Sequence, residues 1–406
     1  MTLPIKVTTT AALTILATLA LCAAAQASPQ YRVLHSFNQT DGAAPWGGVT
    51  LNRGKIYGTT AGGGPWQCGT GACGVVFELA ARAGGAWSEK VLHAFGAPGD
   101  GSVPYGTVSF DLAGNLYGTV AGGGADGYGT VFALTAGKES WRETILYSFA
   151  YLSWPVAKLA IDREGDLYGV TPKASDAYEL TPSPSGWEYS MAYEFTGENG
   201  DGSEPYAGLI MDTAGNLYGT TYGGGIGCPG LGCGTVYELS PGAGGTWTET
   251  VLHRFDNNGK DGITPGWGAL YRDKSGSLYG TTAGGGCCGG IVYKLTPSAH
   301  GTWKETIIWD FQGGSGGFEP NAGVVMDKSG NLYGTTDYGG NGCGVIYKLA
   351  PKPTGKWAYT VLHTFGVGAD GCLPEGNLAI DGKGNLYGGT VLGGSHGYGM
   401  IFELTP

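Results

Sequence analysis

Asn216-Leu-Tyr-Gly-Thr-Thr221 decides the fold, because the chain repeats it. Close copies centre on Tyr57, Tyr117, Tyr168, Tyr218, Tyr279, Tyr333 and Tyr387, about 54 residues apart. Ahead of the phrase runs Ala207-Gly-Leu-Ile-Met-Asp212, then a turn at 213–215. After it come a glycine-rich loop, Gly234-Thr-Val-Tyr-Glu-Leu239 and Trp247-Thr-Glu-Thr-Val-Leu-His-Arg-Phe255. Each segment is short, rich in β-branched and aromatic residues, and bounded by Gly, Pro, Asn or Asp, which are strand and turn signals. Four strands per unit at a fixed period predict propeller blades, and no stretch sustains the 3.6-residue period of a helix.

The ends of the array predict how the ring closes. Tyr31-Arg-Val-Leu-His-Ser-Phe37 is a fourth strand without a blade, and Met400-Ile-Phe-Glu-Leu404 is a third strand without a successor. Paired together they would complete the last blade and leave no open edge. The expectation is an all-β, seven-bladed β-propeller with four antiparallel strands per blade, forming a single domain over residues 28–406.

Residues 1–27 read as a secretory signal peptide. Lys6 precedes an apolar run from Ala11 to Ala25, and Ala25-Gln26-Ala27 offers a small-x-small cleavage site. The run is short for a membrane span. Cys22 raises the alternative of a lipoprotein, but Leu21 stands where a small residue is expected. The expected location is secreted or periplasmic after cleavage near Ala27, as a monomer. A net charge of −11 argues against nucleic acid and anionic lipid as partners. No apolar tail or C-terminal anchor is recognisable.

Leu-Tyr-Gly-Thr-Thr, Gly-Gly-Gly and Gly-Thr-Val-Phe/Tyr-Glu-Leu together resemble the bacterial GloVer tandem repeat, over nearly all of residues 31–406. The resemblance is to choice-of-anchor GloVer-containing proteins and implies an exported repeat protein. It implies no reaction and no catalytic residues.

The seven copies can be compared with one another. A residue type needed by every blade is architectural, whereas one that breaks the pattern on the loop-rich face is a candidate. Asn52, Asp111, Asp162, Asp212, Asp273, Asp327 and Asp381 share one position before the first hairpin and read as turn-forming side chains. His35, His93, His253 and His363 alternate with Tyr147, Tyr193 and Trp309, so that position wants an amphipathic ring. His300 and His396 lie outside the pattern. Trp87, Trp141, Trp187, Trp247, Trp303 and Trp357 each begin a fourth strand and read as packing.

Trp46, Trp66, Trp154 and Trp267 lie instead in connecting loops, with Tyr105 and Tyr206 aligned to Trp46 after the repeat's proline. Such rings admit two readings: a stacking surface for sugars, or a plug in the channel mouth. Blade three lacks Gly-Gly-Gly and reads Thr171-Pro-Lys-Ala-Ser-Asp-Ala177. Its short loop would leave a notch bearing Lys173 and Asp176 beside Trp154, or would mark decay of one repeat.

Asp41, Asp100, Asp201, Asp261 and Asp370 belong to Asp-Gly-x-x-Pro, a turn signal that also permits a weak Ca²⁺ reading. No other metal or cofactor is expected, and the glycine loops lack the Gly-Lys-Ser/Thr ending of a phosphate cradle. Cys68 with Cys73 and Cys228 with Cys233 suit local disulfides, Cys343 and Cys372 a bridge between blades, and Cys287-Cys288 either a vicinal bridge or free thiols.

The function expected is a non-catalytic binding or interaction module on the loop-rich face, for an extracellular glycan or protein. The alternatives are a carbohydrate-active enzyme (polysaccharide lyase or glycoside hydrolase) and a structural surface protein. No unusual carboxylate pair stands out in the sequence.

Overall fold

A computed structural model describes residues 28–406 apart from 69–70, 139, 229, 231, 300 and 367. The signal-peptide reading and His300 lie outside the described residues.

Seven four-stranded antiparallel sheets form the ring. In blade four the strands are Ile210–Met211, Leu217–Thr221, Thr235–Pro241 and Trp247–Arg254, hydrogen-bonded in that order from the channel outward. The other blades repeat this plan. Blade seven takes Ala379–Ile380, Leu386–Thr390 and Met400–Thr405 from one end of the chain and Gln30–Ser36 from the other. The closing pair runs in register from Gln30 opposite Thr405 to Ser36 opposite Met400. Tyr31 reinforces it by stacking on His363 of blade six at 3.7 Å.

The core lies between blades. Each fourth strand is followed by a buried phenylalanine whose ring meets a ring on strand three of the next blade: Phe37 on Phe77, Phe95 on Phe132, Phe149 on Tyr178, and so around to Phe365 on Phe402, with centroids 4.6–5.4 Å apart. This explains the glycine of Leu-Tyr-Gly. A Cβ on Gly58 would sit 2.7 Å from the tip of the Phe77 ring, and Gly118, Gly169, Gly219, Gly280, Gly334 and Gly388 face the same ring position in their blades. The glycine is the socket for the ring that joins two blades.

The turn position holds the inner hairpin. Asp212 Oδ1 accepts from the backbone N–H groups of Ala214 and Asn216 at 2.8 and 3.0 Å, and Oδ2 accepts from the Tyr218 hydroxyl at 3.1 Å. That donor set pulls its carboxyl below the usual carboxylate range, against the effect of burial.

Three disulfides are present: Cys68–Cys73, Cys228–Cys233 and Cys343–Cys372, with Cα separations of 5.2, 5.2 and 4.5 Å. Cys287 and Cys288 are free and exposed. Disulfides are the chemistry of an oxidising, extracytoplasmic compartment. No described helix is long and apolar enough to cross a membrane.

Candidate functional site

The seven inner strands enclose a channel of about 840 Å³. One end of it is shaped by a repeated backbone device. The residue before each blade's entry proline, whether Ala44, Val103, Trp154, Glu204, Thr264, Glu319 or Leu373, has φ between 52° and 61°. A non-glycine residue rarely adopts that conformation, so tertiary contacts must impose it. They are visible: Val103 N–H donates to the Cys73 carbonyl at 2.8 Å, and Ala121 N–H donates to the Val103 carbonyl at 3.1 Å. The turn is thereby held between two blades, and the residues after the proline project over the channel mouth.

The glycine-rich loops are part of the same device. Gly122–Gly123 pairs as a short ladder with Gly101–Ser102 of the entry loop, and blades four and five repeat the pairing. A side chain on Gly123 would collide with the Asp100 carbonyl, 2.6 Å away, so the glycines allow two backbones to meet.

At the mouth, Trp46, Tyr105, Trp154, Tyr206 and Trp267 form one arc across blades one to five. Successive centroids are 5.9, 5.9, 6.4 and 4.4 Å apart. All five line a single cavity of about 280 Å³, just below the usual range of small-molecule sites. Trp46 and Trp267 are 36% and 42% exposed, so the arc is open to solvent. Its members reach the cavity by different routes: Trp46, Tyr105 and Tyr206 directly follow the proline, Trp267 is two residues after it, and Trp154 precedes it. Trp66 is not in the arc. It sits beside Cys73 against Gly96, on the rim. Lys173 does reach the arc, with Nζ 5.7 Å from the centre of the Trp154 ring. Asp176 does not, being buried at the start of strand three and bonded to the Thr171 hydroxyl.

Blades six and seven close the circle with polar groups absent from the sequence candidates. Glu375 occupies the position of Trp46 and lines the cavity. Behind it lies Asp337, 3% exposed, one oxygen accepting from the Asn321 amide and the other without a partner among the described residues. Burial pushes the Asp337 carboxyl up to about 7; the Asn321 hydrogen bond opposes the shift and Glu319 adds to it. Burial, with Asp337 beside it, pushes Glu375 up to about 8. No unusual carboxylate pair stands out in the sequence, yet two carboxyls raised mainly by burial lie near one another here, from different blades. The available signal was positional, since Asp337 stands where other copies have Ala61, Ala121, Tyr222, Ala283 or Val391.

The Asp-Gly-x-x-Pro aspartates take another place. Asp100 Oδ2 accepts from Gly96 N–H at 3.1 Å and lies 3.1 Å from His93 Nε2, while Oδ1 accepts from Gly101 N–H at 2.6 Å. His35, His253 and His363 face Asp41, Asp261 and Asp370 in the same way, at 3.2, 3.2 and 3.0 Å. The histidine ending one blade is thus the partner of the aspartate in the loop that enters the next, as well as an amphipathic ring. With Glu143 and Glu305 of the following blades, His93–Asp100 and His253–Asp261 form groups whose ligand atoms lie within 4.8 Å of one another, a spacing a metal ion can span. The aspartate oxygens, however, already face N–H donors.

Fold and site together define an extracytoplasmic β-propeller with an aromatic-lined mouth. The chain belongs to the Gloeobacter/Verrucomicrobia repeat family, whose model matches residues 23–231 and 230–406. No curated protein matches the chain in sequence. Among solved structures it is similar to a virginiamycin B lyase from Staphylococcus aureus, at 13% identity over 93% of this chain and 99% of that one, with a TM-score of 0.57. A streptogramin B lyase structure is similar at 14% identity over 93% and 97%, with a TM-score of 0.59. A protein from Lactobacillus plantarum is similar at 13% over 82% and 88%, with a TM-score of 0.53. At such identities the likeness concerns the fold alone.

Proposed function

We propose that the channel mouth binds extracellular carbohydrate and that the protein is an exported, non-catalytic binding module. The observation that carries this is the convergence of five aromatic rings, from five blades, on one solvent-open cavity. A pyranose presents a flat C–H face that packs on an aromatic ring and hydroxyls that need polar partners. The mouth offers both, the second through Glu375, Asn377 and the phenols of Tyr105 and Tyr206. The three disulfides suit an extracellular or periplasmic role.

The test is calorimetric binding of a panel of oligosaccharides. Trp46→Ala and Trp154→Ala are each expected to weaken binding about tenfold, the value of one stacking contact. Trp66→Ala, outside the cavity, is expected to change nothing. Absence of any glycan ligand, or equal affinity in all three variants, would sink the proposal.

One observation favours a second reading, a carbohydrate-active enzyme: Glu375 lines the cavity, and burial pushes its carboxyl up to about 8, the range of a general acid. Product release from the same panel by the wild type, lost in Glu375→Gln, would replace the binding reading with this one.

A further inference from the structure

Directly beneath the arc, the residue three places after each entry proline lines the throat. It is glycine in blades one, four, five and six, Thr107 in blade two and Asn377 in blade seven. In blade three it is Lys158, the one charged member of the set, which borders both the mouth cavity and the channel. The neighbouring blade leaves it room. A Cβ on Gly208 would lie 3.0 Å from both the Cβ and the carbonyl oxygen of Lys158, so glycine is what lets blade four pass this side chain.

Lys158 makes no hydrogen bond or ion pair among the described residues, and its ammonium is surrounded by protein even though channel water reaches it. That enclosure lowers its pKa. Nothing in the propeller's packing requires a cation here, since the same position is glycine in four other blades. The carboxyl of the same cavity, Glu375, forms no ion pair with it. Its ammonium is therefore free to receive an anionic group of a ligand that enters the mouth.

We propose that Lys158 makes the mouth selective for acidic sugars, its ammonium receiving the carboxylate of a uronic acid unit whose ring lies against the aromatic arc. The inference rests on the carbohydrate reading above and names the class of sugar. A charge-assisted hydrogen bond in an enclosed site is about twice as strong as a neutral one, enough to separate acid from ester.

The experiment uses the full chain, an oligogalacturonate, the same oligomer as its methyl ester, and calorimetry on wild type, Lys158→Met, Lys158→Arg and Trp46→Ala. The expected result is about a tenfold preference for the acid over the ester in the wild type. Lys158→Met should abolish that preference, and Lys158→Arg should keep it. Equal binding of acid and ester by the wild type, both weakened in Trp46→Ala, would overturn the lysine's role and leave carbohydrate binding standing. Loss of acid and ester alike in Lys158→Met, with Lys158→Arg normal, would also overturn it, because the lysine would then serve the shape of the throat. Failure of the wild type to bind either oligomer would overturn this inference, whereas the reading beneath it falls only if no member of the wider oligosaccharide panel binds.

Discussion

The hydroxyl of Tyr57 donates to Glu78 Oε2 at 2.9 Å, across a strand pair in which the two residues face each other. In blades two, four, five and six the equivalent tyrosine donates to the turn aspartate, as Tyr333 does to Asp327 at 3.0 Å. Tyr168 and Tyr387 lie between that aspartate and a strand-three glutamate, Glu179 at 3.1 Å and Glu403 at 2.9 Å. Blade one carries Asn52 at the turn, and Glu78 supplies the carboxylate instead, held also by Lys55 at 2.7 Å. What the repeat preserves is an anionic acceptor for the phenol, drawn from either strand.

Asp327→Ala should therefore destabilise the fold markedly. It removes the acceptor of the Ser329 and Asn331 backbone N–H groups at 2.8 and 2.9 Å, of the Asn331 amide at 2.7 Å, and of Tyr333. The expected loss is about 2–3 kcal/mol by urea denaturation, since several donors become orphaned at once. A loss below about 0.5 kcal/mol would show that the turn holds without its carboxylate.

Acidification should raise the melting temperature. Burial pushes Glu89, Glu143, Glu249, Glu305 and Asp337 up to about 7 and Glu375 up to about 8. Between their unfolded pKa values and these, the folded chain holds more protons than the unfolded one, so stability falls as pH rises. His93, raised because Asp100 and Glu143 outweigh its burial, acts in the same direction, and His35, lowered by burial, opposes it. Below the ordinary carboxylate range the turn aspartates reverse the trend, because their depressed carboxyls become protonated. Thermal melts should peak near pH 5 and decline toward pH 8, with a shallower decline in Glu249→Gln. A flat or rising profile across that window would contradict the burial of these groups.

Tyr237→Phe should be neutral or stabilising, within about 1 kcal/mol. The Tyr237 hydroxyl is fully buried with no partner among the described residues, and Phe77, Phe132 and Phe402 fill the same socket in other blades. Tyr218→Phe, which loses the bond to Asp212, should cost about 1 kcal/mol in the same assay. The two substitutions delete the same atom, so a reversed order would refute the hydrogen-bond assignment.

The disulfides should differ in worth. Cys343–Cys372 closes a loop of 29 residues, whereas Cys68–Cys73 closes one of 5. Chain-entropy arguments give about 3–4 kcal/mol for the first and about 2 for the second. Melts of the paired serine variants should show the larger drop for Cys343→Ser with Cys372→Ser, and equal drops would indicate that loop length is not what matters.

The ring and its closure were legible because one blade is read seven times, with the socket glycine in every copy and the turn aspartate in six of the seven. The aromatic arc was legible as a set of loop residues but not as one surface. Trp154 and Trp267 stand at different offsets from the proline, and only the positive-φ turn brings them level with Trp46. Asp337 stood out only by its position among the copies, and its closeness to Glu375 was not legible, because it spans two blades. Trp66, by the same logic of loop position, looked equivalent to Trp46 and lies on the rim. Sequence position specifies the loop, and backbone geometry decides which side chain faces the axis.

The N-terminal strand imposes an order on biosynthesis. Arg32 pairs with Glu403, 371 residues further along the chain. Gln30–Ser36 stays without its partner strand until Met400–Thr405 has been made. Throughout that interval both strands present bare edges of the kind that pair with neighbouring chains. A chain ended before Met400 would lack this clasp, so ring closure depends on the last strand being made.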